Sequence, residues 1–252
     1  MIHCGANFQS TMFLPNAMNN NKDQRDNPMR TTRFWIIGAG HFGQIAVERI
    51  TRHISGALLT VVDKKPYTFD GEGITTISED GIQWLAAMLD QHAAVDMIVP
   101  AIPVHVAAEW LMLKYKKLFN IHPTPIPESW LARMPHAFRG KTGQAFVSHA
   151  DFICPDNCPE PKKICTHTGK TRPLDLFRLL ANLELDGVFP VVLRSHQLLP
   201  GVGGIYPVDL MNALDMVRNN SHLPLMIATA CRCHGVVDFM RLEKKGKAKR
   251  FS

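Results

Sequence analysis

Gly38, Gly40 and Gly43 stand in Phe34-Trp35-Ile36-Ile37-Gly38-Ala39-Gly40-His41-Phe42-Gly43, a spacing that suits a turn built to cradle phosphates. Gly38 allows the tight turn, Gly40 lets the backbone approach a pyrophosphate, and Gly43 lets the following helix, opened by His41 and Phe42, lie close on the strand before it. The anion then rests on unpaired N–H groups at the positive end of that helix. Asp63 ends the next apolar run, Ala57–Val62, where an acidic side chain hydrogen-bonds a ribose 2′-hydroxyl and repels a 2′-phosphate. The expected cofactor is therefore NAD, with NADP kept open because Lys64 or Lys65 could receive a 2′-phosphate.

The cysteines are the second candidate chemistry. Cys154, Cys158 and Cys165 fall in a proline-rich stretch, and Cys231 and Cys233 precede His234 at the end of an expected strand. Thiols used as small core residues have no reason to gather in this way. Three thiolates on a stiffened loop, with Cys231, Cys233, His234 or His167 completing the set, suit zinc or an iron–sulfur cluster. The spacings are not the tight pairs of zinc ribbons or ferredoxins, so free thiols and disulfides stay open beside the metal reading.

A third group is Arg194-Ser195-His196-Gln197, followed by Pro200-Gly201-Val202-Gly203-Gly204. His196 is a candidate acid or base near neutral pH, and the glycines could admit a phosphate or a substrate to the backbone. Ser195, His196 and Asp209 form a weak case for nucleophilic serine chemistry. Thr168-Gly169-Lys170-Thr171 resembles the end of a nucleoside-triphosphate loop, but Ile164 replaces the first glycine and no strand precedes it. His167, Lys170 and Arg172 could still meet an acidic substrate or the cofactor, or form a solvated basic loop.

These residues need elements to hold them. Phe34–Ile37 and Val95–Val99 read as buried parallel strands, and Ile74–Ile77 as a third candidate. A helix capped by Ser78 and one over Val104–Lys117 are expected between and after them. Ala101 and Pro103 lie in the turn that ends Val95–Val99, at the carboxyl end of the sheet where ligands bind, and so complete the cofactor set with Gly38, Gly40, His41, Phe42, Gly43, Asp63 and Lys64. Eight of the 17 prolines fall between Pro123 and Pro173, a stretch with little room for regular structure. Beyond it, Leu174–Leu183 and Val208–Val217 read as helices, and Phe189–Leu193, Leu225–Ala230 and Val236–Leu242 as strands.

The expected organisation is a leader over 1–32, a dinucleotide-binding domain over 33–122, a cysteine-containing α/β domain over 123–242 and a basic tail over 243–252. The leader is rich in asparagine and lacks periodicity; Met29 is an alternative start, and Cys4 falls in the leader. No secretory signal is legible, so a cytoplasmic location is expected. With 46% hydrophobic and 20% charged residues, the composition fits a packed globular protein, and no apolar run approaches the length of a membrane span, so no membrane anchoring is expected. Much of the net charge of +6 comes from the C-terminal lysines and arginines, read as a solvated tail rather than a nucleic-acid surface.

Ile36–Gly43 together with Val61-Val62-Asp63-Lys64-Lys65-Pro66 resembles the N-terminal Rossmann domains of potassium-transport regulators, the TrkA-N or regulator-of-conductance domains, and NAD(P)-binding dehydrogenases generally. The resemblance covers about the first 90 residues after the leader. It implies NAD(H) binding at Gly38, Gly40, Gly43 and Asp63. The expected fold is α/β, a Rossmann-like parallel sheet joined through the proline- and cysteine-rich stretch to a second, smaller α/β unit. The expected function is an NAD(P)-dependent oxidoreductase acting on a small molecule or redox partner. A nucleotide or redox sensor and a metal-stabilised structural protein are the alternatives, and the chain could assemble as a homo-oligomer.

Overall fold

The computed structural model describes residues 31–246. In the first part of the chain β1 (Arg33–Ile37), α1 (His41–His53), β2 (Leu58–Asp63), β3 (Ile74–Ser78), α2 (Gly81–Met88), β4 (Met97–Pro100) and α3 (Val106–Tyr115) follow one another. The four strands pair with one another in parallel, in the order β3-β2-β1-β4, and Ile98 of β4 makes a single antiparallel bridge to Ile205. Helices cover both faces of such a sheet, which explains why its central strands read as continuous apolar runs. The expected cap at Ser78 is displaced by two residues. Ser78 ends β3, and Asp80 caps α2, accepting the Gln83 N–H at 2.9 Å.

The chain continues through β5 (Phe119–Pro123), α4 (Glu128–Leu131), β6 (Phe138–Arg139), β7 (Ala145–Ser148), α5 (Leu176–Ala181), β8 (Phe189–Arg194), β9 (His196–Leu199), β10 (Val202–Gly204), α6 (Pro207–Asn219), β11 (Leu225–Ala230) and β12 (His234–Lys244). A second, mixed sheet has the order β6-β7-β12-β11-β8, and β5 pairs with β12 beyond the end of β7. Only β8 and β11 run parallel in it; β9 and β10 form a separate hairpin. The boundary read at 122/123 thus falls inside a strand of the second sheet, and the described residues from Thr32 onward make one compact unit. Met29, Cys4 and most of the expected leader lie outside the described residues. The expected tail begins inside β12, and its part after 246 also lies outside them.

Three clusters of apolar side chains build the core. Phe34, Ile36, Leu59 and Val61 pack with Ala46 and Ile50 of α1 on one face of the parallel sheet. Trp35 and Ile37 on its other face meet Trp84, Trp110 and Leu111 of α2 and α3, Leu210 and Val217 of α6, and Val191, Leu193 and Ile227 of the mixed sheet. The far face of the mixed sheet carries Met226, Ala228 and Phe239 under Leu131, Leu176 and Leu180 of α4 and α5. Strand alternation divides β11 between these clusters, so Ile227 and Thr229 share the face toward α3. Among the described residues, no helix is long and apolar enough to cross a membrane.

Candidate functional site

The glycine turn has the tight geometry expected of it. Gly38 has φ +113°, a backbone that other residues rarely adopt, and a Cβ there would lie 2.6 Å from the Ala101 carbonyl oxygen. A Cβ on Gly43 would overlap the Gly38 carbonyl, so α1 can lie against the turn only with glycine at this position. Gly40 has open space ahead of it and caps α1 without help from a side chain. His41 and Phe42 are exposed beside it, ring against ring at 5.3 Å.

The Asp63 carboxylate accepts the Ala39 N–H at 2.8 Å with one oxygen and the Lys65 N–H at 2.9 Å with the other, tying the end of β2 to the turn. Lys64, largely exposed, pairs with Asp80 at 2.9 Å. A small pocket of about 90 Å³ lies beside Asp63 and Ala39. A groove of about 940 Å³ runs from Asp63 and Lys64 past Ile102 and Pro103 to Glu109 and Lys116. The expected cofactor residues Gly38 to Gly43, Asp63 and Ala101 are therefore brought together.

Immediately beyond Pro103 the chain turns inward. His105 precedes α3, with its side chain only 4% exposed. Its Nδ1 lies 2.6 Å from Asp238 Oδ2 and its Nε2 lies 2.9 Å from Thr229 Oγ1. Asp238 pairs with Ile227 across the β11–β12 ladder and Thr229 with Val236, so both polar side chains share the face toward α3. Glu109, one turn along α3, has its carboxyl held above the usual range by burial and then by the charge of Asp238.

The cysteine stretch folds as a braced loop. Arg172, expected either to meet a ligand or to lie in a solvated basic loop, is instead a buried staple: its side chain is 5% exposed, donates to the carbonyls of Lys162 and Pro161, lies 2.9 Å from Cys233 Sγ and pairs with Asp175. Arg49 of α1 holds the same loop from outside, donating to the carbonyls of Asp156 and Pro200.

Cys158, Cys233 and Cys165 all lie within electrostatic reach of Cys154, whose thiol is pushed up by burial and then by these three. Cys165 is pulled down by hydrogen bonds from the Thr168 hydroxyl and from the N–H groups of Thr168 and His167. Cys231 is pushed up to about 12 by burial, then by Glu160, with the Cys233 thiol also acting on it and its sulfur accepting the N–H groups of Cys233 and His234 at 3.3 Å. Among the described residues, no three of the His, Cys, Asp and Glu side chains are drawn together as a ready metal site.

In the Ser195–Gly204 loop, His196 Nε2 lies 3.8 Å from Asp209 Oδ2 and its ring lies against Tyr206. The two titrate in directions opposite to those of an ion pair. Burial, then Arg194 and Arg232, lowers His196 to about 4, while burial raises Asp209. His196 is thus neutral and a weak base at pH 7, poorly matched to acid–base work there.

The grouping of His105, Thr229 and Asp238 is absent from the sequence reading. These residues are too far apart in the chain for any spacing to reveal them. The available signals were a lone threonine and a lone aspartate inside two apolar strands, and a histidine just past the Ala101–Pro103 turn at the carboxyl end of the parallel sheet.

Residues 107–243 match the family model described as "AF_1314_C: Uncharacterized protein, C-terminal domain". A protein of Archaeoglobus fulgidus, described as "Uncharacterized protein", is 31% identical over 226 residues, which is 82% of this chain and 98% of the relative. No solved structure matches.

Proposed function

Starting from the premise that this chain belongs to the AF_1314_C family, we propose that it binds NAD(H) on the Gly38–Gly43 turn and acts as an NAD-dependent oxidoreductase on a small molecule. The observation that carries this reading is the turn itself, where Gly38 is pressed on Ala101, Gly43 is pressed on Gly38, and the Asp63 carboxylate lies at the mouth. The parallel order β3-β2-β1-β4 supports a Rossmann arrangement, in which the pyrophosphate meets the first turn of α1 and the ribose meets Asp63. NAD is favoured over NADP because Asp63 repels a 2′-phosphate and Lys64 is engaged by Asp80.

Titration of the full chain with NADH, followed by nicotinamide fluorescence, should saturate well below millimolar concentration. NADPH should bind at least about tenfold more weakly, and Gly43→Val should weaken NADH by a similar factor, about 1.4 kcal/mol. Asp63→Ser, which leaves the glycines in place, should narrow the preference for NADH. Failure of all four nicotinamide nucleotides to saturate overturns the proposal.

The loop thiols carry a second reading. Hydrogen bonds to Cys165 favour its thiolate and Cys154 feels the charges of Cys158, Cys165 and Cys233, which supports zinc or an iron–sulfur cluster on these four thiols once the loop closes around it. Metal analysis of anaerobically purified chain should give zinc or iron, lost on Cys158→Ser and retained on Cys231→Ser. A chain free of both metals overturns this reading and leaves the nucleotide proposal untouched.

A further inference from the structure

We propose that Thr229, His105 and Asp238 form a proton relay serving hydride transfer, with an alcohol–carbonyl pair as the substrate class; the inference rests on the NAD(H) reading. Three observations carry it. The first is position: His105 lies four residues after Ala101, the residue against which the glycine turn packs, so its middle member is fixed to the loop that flanks the crevice. The second is access. The imidazole is almost sealed, whereas its partners at either side, Thr229 and Asp238, are each partly exposed, the Asp238 side chain by 27%. A sealed histidine between two partly open groups connects them through the protein interior.

The third observation is chemical type. Thr229 Oγ can accept one proton while giving another, and a carboxylate on Nδ1 fixes the tautomer and stabilises the imidazolium. Glu109 and, more remotely, Asp80 are the other acids acting on this corner, from α3 and α2. The step balances. The alcohol C–H leaves with its electron pair for C4 of the nicotinamide, the O–H proton passes to Thr229 Oγ as Thr229 gives its own to His105 Nε2, and the C=O bond forms. The alcohol is oxidised, NAD+ is reduced, and one proton is held as imidazolium opposite Asp238.

The test needs no substrate, because NAD+ carries a positive ring charge that NADH lacks, and a relay that reaches the ring must expel its proton when that charge arrives. With the full chain in weak buffer and a pH-indicator dye, NAD+ should release up to about one proton per bound nucleotide between pH 5 and 9, and NADH none. His105→Asn should abolish the release. Asp238→Asn, which removes the charge opposite the imidazolium, should reduce it at least about threefold at pH 7.

Thr229→Val leaves the His105–Asp238 pair intact, so it should keep the amplitude but slow the stopped-flow release at least about tenfold, and Thr229→Ser should restore the rate. A merely structural histidine would alter melting without these changes. Saturable NAD+ binding without release, release surviving in His105→Asn, or an unchanged rate in Thr229→Val each overturn the relay. Absence of nucleotide binding overturns instead the reading beneath it.

Discussion

His105, just before α3, and His196, the first residue of β9, show how environment separates two histidines. His105 has a carboxylate at 2.6 Å and a hydroxyl at 2.9 Å, whereas His196 is buried close to the positive charges of Arg194 and Arg232. A neutral buried histidine has a signed consequence for stability. The folded value of about 4 lies below the ordinary 6.5, so the unfolded chain binds the proton more readily in between. The contribution is present above pH 6.5 and lost as pH falls to about 4. With discounting for partial exposure it amounts to about 2–3 kcal/mol. Asp209 acts with the opposite sign. Its raised folded value contributes stability that is full below 3.8 and lost as pH rises from there through the folded value. Denaturant unfolding from pH 7 to pH 4 should therefore show a shallower loss in His196→Gln than in the parent chain. Equal slopes would remove His196 from the acid response.

At the scale of elements, legibility followed the source of each element's stability. β11 was readable to the residue, because Leu225–Ala230 is a central strand and apolar apart from Thr229. α6 also matched closely, since Pro207 opens it with the fixed φ that suits a first turn. The glycine turn was readable because its requirement is local: no side chain fits at Gly38 or Gly43. β5 was not readable. Phe119-Asn120-Ile121-His122-Pro123 is half polar and exists as a strand because β12 extends past β7 and offers it a partner. β7 was hidden for the same reason, within a stretch whose prolines argued against strands. The cysteine loop was legible as a cluster but not as a braced structure, because Arg172 and Arg49 hold it through carbonyl groups that leave no trace in residue type. Thr229 and Asp238 were invisible as partners, since register decides which side chains of β11 and β12 share a face.

At the scale of the whole molecule, one apolar layer joins the two sheets: α2 packs on β1 and β2, α6 and α3 pack on β8 and β11, and α3 packs against both α2 and α6, with Trp84, Trp110, Leu111, Ile37, Leu193 and Ile227 in a single cluster. Removing the mixed sheet would expose an apolar surface that the parallel sheet cannot cover alone, so the segment 33–122 should not fold by itself despite carrying the whole glycine motif. Expressed alone, it should lack cooperative thermal unfolding, while the full chain should melt in one transition by both circular dichroism and fluorescence. A stable, cooperative 33–122 fragment, or two separate transitions in the full chain, would show that the two sheets are energetically independent.

The chain has four tryptophans. Trp35, Trp84 and Trp110 all lie in this shared layer at 8%, 6% and 0% exposure, while Trp130 packs on Phe239 in the other cluster. The intrinsic ultraviolet emission of the protein is consequently a built-in gauge of the seam between the sheets. Its colour registers water entering that seam, whatever happens at the loops where the chemistry is proposed.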